Sequence, residues 1–247
     1  MGRATSFVRL SGVFLFCLLC AAISGFAGTV TVWDNPIDVP CGGLTGDCPT
    51  SPDAVVINFN DTATFTGSVY TSGIATFTFN TVDILGNAAT GSPFVSASVA
   101  GEYAAPGQDG DTSQYMTLGS PNRPSSVAIT FSTPILYYGF YMGSPDAYNT
   151  MTFHFTDGSA PQTLTGMDLV GLSGDPEFAP ASWGSADYFG FGFSGAVSGI
   201  DLSSNQAAFE TDNHAFIATP EPEAAWLIGL GLVGIVAGRI KLRRRAA

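Results

Sequence analysis

The chain has 247 residues, with 20 Asp and Glu against 8 Lys and Arg and a formal net charge of −12. Charged residues make up 11% and hydrophobic residues 45%, which excludes disorder, a state of high charge and few aromatics. Nucleic acid is excluded as a partner as well, because phosphate binding needs Lys and Arg in number.

The bases are segregated. Arg3 and Arg9 stand at the front and Arg239, Lys241, Arg243, Arg244 and Arg245 at the back. Between Gly28 and Thr219 there is a single base, Arg123, against 18 acids, a net of 1 − 18 = −17. An acidic body between two basic, apolar ends is the layout of an exported protein with a membrane anchor. At the front, Arg3 and Arg9 flank the uncharged apolar run Leu10 to Ile23, and Gly25-Phe26-Ala27 is a small-x-small cleavage pattern. These features predict a secretory signal over residues 1–27, cleaved after Ala27. A lipoprotein signal is rejected, since bulky Phe16 and Leu19 precede Cys17 and Cys20.

Cleavage leaves Cys41 and Cys48, which flank the Gly-rich segment 42–47. Outside the cytoplasm such a pair most simply forms a disulfide. Zinc needs further His or Cys ligands nearby, so no metal site is assigned.

Residues 28–219 read as one all-β domain. Short β-branched and aromatic runs alternate with clusters of Gly, Pro, Asn, Asp and Ser. Candidate strands are Thr29–Trp33, Ala54–Phe59, Ala75–Val82, Val95–Val99, Val127–Phe131, Tyr137–Met142, Met151–Phe155, Phe189–Phe193, Val197–Leu202 and Ala207–Glu210. No dozen-residue window has a helical period. About ten strands with period-2 faces predict a β-sandwich, of jelly-roll or related type.

Chemistry within the body is sparse. Asp109-Gly110-Asp111 offers two carboxylates across a Gly, which reads either as a solvated acidic turn or as part of a calcium loop. A glycosidase needs two carboxylates at a set separation, and no motif selects a pair. There is no G-x-S-x-G elbow. Of the two histidines, His154 lies on the polar face of its strand and His214 in an Asp212-Asn213-His214 turn, where it caps or is exposed. A non-enzymatic protein without cofactors is expected. Sugar binding is the alternative small-ligand function, through Tyr137, Tyr138, Tyr141, Tyr148, Trp183 and Tyr188, with Asp146 and Asn149 among them. The bland alternative is that these aromatics build the core. A secreted hydrolase is a second alternative.

At the back, Pro220-Glu221-Pro222 precedes the apolar run Ala224 to Gly238 and then the basic tail Arg239, Lys241, Arg243, Arg244 and Arg245. The run predicts a transmembrane helix over about 224–238, roughly 22 Å long at 1.5 Å per residue. The tail would remain cytoplasmic by the positive-inside rule. The ordered triple of motif, helix and basic tail resembles the PEP-CTERM family of exosortase-sorted bacterial surface proteins. The resemblance implies an exosortase as processing partner, membrane attachment of the precursor, and delivery to the surface or extracellular matrix of a Gram-negative bacterium that makes exopolysaccharide. Two blocks, Tyr137 to Thr150 and Phe209 to Phe216, resemble stretches in one subgroup of that family. They imply a β-sandwich ectodomain likened to galactose-binding-like modules, and carry no activity.

Overall fold

The computed structural model describes residues 28–34, 54–62, 65, 67–106, 113–173 and 187–219. Eleven strands are found among them: β1 (Val30–Asp34), β2 (Val55–Ile57), β3 (Val69–Ser72), β4 (Ala75–Phe79), β5 (Phe94–Val95), β6 (Tyr115–Leu118), β7 (Ser126–Met142), β8 (Asn149–Phe155), β9 (Gln162–Thr165), β10 (Asp187–Ser204) and β11 (Phe209–Ala218). One helix, α1 (Gly166–Ser173), follows β9. All strand pairs are antiparallel and belong to one curled sheet. The chain is therefore all-β over its described part.

Two long strands make the curl. The first half of β7 pairs with β4 and with the second half of β10, which continues into β8 and β9. The second half of β7 pairs with the first half of β10 and with β11, and so joins β1, β2, β6 and β5 to the sheet. Between these halves the register breaks. β10 advances from Gly192 to Val197 while β7 moves only from Tyr137 to Ile135. Such bulges bend a strand and let it turn a corner. Pro134 sits at this corner, where a residue that cannot donate to the ladder is tolerated, and its carbonyl accepts from Thr219 N at 2.8 Å.

The bulges also keep the apolar face inward. In β7 the buried positions are Val127, Ile129, Phe131 and Ile135, then Tyr138, Phe140 and Met142, so the parity changes across the corner. In β10 they are Phe189, Phe191 and Phe193, then Ile200 and Leu202. Rings from the two halves meet in the interior: Phe153 lies 5.2 Å from Phe191, Phe131 5.6 Å from Phe216, and Phe77 5.7 Å from His214, centroid to centroid. Edge and tilted contacts of this kind add to simple area burial.

Several expectations need correction. Val127–Phe131 and Tyr137–Met142 are one strand, as are Phe189–Phe193 and Val197–Leu202, because Pro and Gly mark bulges here and not breaks. β3, β6 and β9 were not expected: β6 is buried at all four positions, so it has no alternation to detect. The Asp212-Asn213-His214 segment is no turn between strands. It is a bulge inside β11, with Asn213 at φ +49°, a region Asn enters more easily than most residues.

α1 is short enough to leave no long period. Its start is a reciprocal cap: Thr165 N donates to Asp168 Oδ2 at 2.7 Å, and Asp168 N to Thr165 Oγ1 at 3.3 Å. Among the described residues no helix is long and apolar enough to cross a membrane.

Candidate functional site

The sorting motif Pro220, Glu221 and Pro222, the basic tail, Cys41 and Cys48, the Asp109-Asp111 loop and Trp183 all lie outside the described residues. The tyrosine patch does not, and the structure divides it. Tyr138 belongs to the core and is fully buried, so it offers no platform. Tyr137, Tyr141 and Tyr188 lie on the opposite face, flanking Gly139 and its cross-strand partner Gly190. They pack on each other. Tyr137 Oη donates to Tyr188 Oη at 3.4 Å, and the rings of Tyr141 and Tyr188 meet edge-on at 5.9 Å. A Cβ on Gly139 would stand 2.4 Å from Tyr188 Oη, so glycine is what lets these rings lie down on the sheet. Tyr188 is fully buried in this arrangement.

Tyr148, Asp146 and Asn149 form a separate group at the start of β8. Tyr148 Oη and Ser144 Oγ both donate to Asp146 Oδ2, at 2.7 and 2.8 Å. Asn149 Oδ1 accepts from Ser204 Oγ at 2.8 Å, and its amide nitrogen donates to the carbonyls of Ser144 and Ala208, each at 3.4 Å. These polar groups hold the β7–β8 turn against the β10–β11 turn. Asn149 is buried, while Tyr148 and Asp146 stay partly exposed.

The histidines behave in opposite ways. His154 is solvent-facing as expected, 40% exposed at the side chain, and its Nε2 lies 2.8 Å from Asp201 Oδ2 across β8 and β10. His214 corrects the expectation, since it is fully buried. The extra residue at Asn213 reverses the parity of β11 and turns the imidazole inward, among Phe59, Phe77, Tyr138 and Phe140. Nδ1 bonds Tyr138 Oη at 2.7 Å and Nε2 bonds Thr211 Oγ1 at 2.8 Å. Burial drives its pKa down to about 3, so the ring is neutral and both nitrogens are matched to hydroxyls that donate or accept. It is a core residue.

Glu210 was not singled out by its sequence context. It lies on the outer side of β11, opposite Thr117, and is only 7% exposed. Ala104 N donates to its Oε1 at 2.8 Å. Burial pushes its pKa up to about 7, against the opposing pull of the Ala104 amide and with a further push from Asp146. Arg123, the one base of the body, is held elsewhere, with its guanidinium carbon 4.7 Å from the Tyr103 ring centroid and Nη2 3.0 Å from Tyr103 Oη. Its Nη1 donates to the Ser92 carbonyl. Among the described residues no cluster of three or more His, Cys, Asp or Glu is placed to hold a metal ion.

The described residues also form a concavity. A cleft of about 590 Å³ opens beside the β3–β4 hairpin, between Phe65 and Phe79 on one side and the 89–93 segment on the other, with Ser68, Asn80, Thr81 and Thr90 around it. Among the described residues no charged side chain lines it. Its walls come from segments far apart in sequence, whose meeting depends on register.

No protein-family model matches the chain, and no curated protein matches it either.

Proposed function

We propose that the chain is a non-enzymatic exported protein of the cell surface or extracellular matrix, sorted by an exosortase. The ordered triple of Pro220-Glu221-Pro222, apolar run and Arg-rich tail carries this reading, together with the signal-like segment at residues 1–27. The curled all-β body is then the ectodomain, a β-sandwich of the jelly-roll or galactose-binding-like kind. The two facing half-sheets joined by β7 and β10 support that assignment. The motif follows directly on Thr219, whose amide is tied to Pro134 at the close of β11.

The test separates recognition from anchoring. A plain anchor needs apolar length and flanking positive charge, and both survive a change of residues 220–222 to Ala-Ala-Ala. A processing enzyme reads the extended backbone that two prolines impose around Glu221. Wild type is expected outside the inner membrane after cell fractionation, and the triple-Ala chain within it. Deleting Arg239 to Arg245 is expected to disturb orientation instead. Identical locations for wild type and triple-Ala chains refute exosortase sorting.

A second reading, a carbohydrate-binding module acting on exopolysaccharide, is favoured by one observation: the uncharged, ring-sided cleft beside Phe65.

A further inference from the structure

We propose that the cleft between the β3–β4 hairpin and the 89–93 segment is a binding site for a neutral saccharide unit. The inference rests on the carbohydrate-binding reading and assigns its site. At about 590 Å³ the cleft falls within the roughly 300–1,000 Å³ usual for small-ligand sites.

Its chemistry is that of a sugar ring, apolar on its C–H faces and rimmed by hydroxyls. Phe65 is half-buried and anchored by edge contacts to Phe79 at 5.9 Å and Phe94 at 5.1 Å, so the ring is fixed before any ligand arrives. Ser68, Thr81 and Thr90 supply hydroxyls that make no side-chain hydrogen bond among the described residues. The Asn80 amide donates to Ser125 Oγ at 2.7 Å and accepts from Ser125 N at 3.1 Å, which orients the group and leaves one of its two N–H bonds open.

The wall opposite is braced from behind. Gly91 N donates to the Asn122 carbonyl at 2.7 Å, Ala89 N to the Thr81 carbonyl at 2.9 Å, and the Arg123 guanidinium to the Ser92 carbonyl. A preformed wall lowers the ordering penalty that a ligand meets on binding.

Charge selects among saccharides. Among the described residues no charged side chain lines the cleft, and the body carries 18 acids against Arg123, whose guanidinium is engaged with Ser92 and Tyr103. Arg123, on the 89–93 wall, is the one base set against those acids, so the net negative field of the body still disfavours uronic or sulfated units. Neutral hexose units are not disfavoured by it.

The experiment is saturation-transfer NMR on the full-length chain purified in detergent. The probes are neutral gluco-, galacto- and manno-trisaccharides, with a galacturonate trisaccharide beside them. Transfer is expected to at least one neutral probe and not to the galacturonate. Thr90→Trp fills the cleft from an exposed position, and Phe65→Leu removes the ring while keeping apolar bulk. Each is expected to weaken binding by about tenfold or more, with the circular-dichroism melt of Thr90→Trp unchanged. If either variant fails to fold, the other decides. Binding that survives both variants, or a galacturonate bound as tightly as the neutral probes, overturns the assignment of the cleft and leaves carbohydrate binding standing. No transfer to any neutral probe overturns both.

Discussion

Lowering the pH from 6.5 to about 3 is expected to reduce the stability of the folded body by about 5 kcal/mol through His214 alone, at 1.36 kcal/mol per pH unit. In the unfolded chain the imidazole takes up a proton near its usual 6.5. In the folded chain, burial among aromatic rings resists that proton until about pH 3. The unfolded state therefore binds more protons throughout the interval, and stability rises with pH across it. Glu210 acts with the opposite sign. Its folded carboxyl keeps a proton up to about pH 7 where the unfolded one loses it near 4.5, so its contribution is full below 4.5 and is lost as pH rises through 7. Between 4.5 and 6.5 the two slopes oppose each other. Glu210→Gln keeps an acceptor for Ala104 N and removes the carboxyl titration. Relative to wild type it should gain about 3 kcal/mol on going from pH 4.5 to above 7. Urea unfolding at a series of pH values measures both effects. A stability that is level from pH 3 to 4.5, or from 3 to 6.5 in Glu210→Gln, would show that His214 is not buried neutral.

The second large effect is expected at Phe191. Its ring lies 5.6 Å from Phe140, 6.2 Å from Tyr138 and 5.2 Å from Phe153, so it joins β7 and β8 across the interior. Phe191→Ala removes a ring from the place where the half-sheets meet, and the rigid neighbours cannot close the gap. A loss of about 3–5 kcal/mol follows, a large part of the usual stability of a domain. Replacing exposed Leu136, on the same long strand β7 as Tyr138, should change stability by less than about 0.5 kcal/mol. Equal urea midpoints for the two variants would place the core elsewhere.

Much of the all-β architecture was legible because Val127-Ile129-Phe131, Met151-Phe153-Phe155 and Phe189-Phe191-Phe193 alternate cleanly and each faces the interior. What escaped were the points where backbone geometry overrides the pattern. Pro134 and the segment 193–196 look like strand ends, yet they are corners that carry β7 and β10 from one half-sheet to the other. Asn213 looks like a turn residue and acts as one, but inside a strand, and its bulge is what buries His214. The Thr165-x-x-Asp168 cap is a local helix signal, but the eight residues of α1 are too few to add a helical period to it. The tyrosines around position 140 were legible as important and not as two opposed faces, since Gly139 beneath them does not announce a close approach. The cleft depends on register between segments far apart in sequence, which no local pattern encodes.

The intact mass of the wild-type species recovered outside the inner membrane tests the central claim most directly. Exosortase sorting predicts a chain that begins at Gly28 and ends near the Pro220-Glu221-Pro222 motif, without the apolar run and the basic tail. It should be two hydrogens lighter than the reduced formula, from a Cys41–Cys48 disulfide. An exported species that still carries Arg239 to Arg245 would contradict the account.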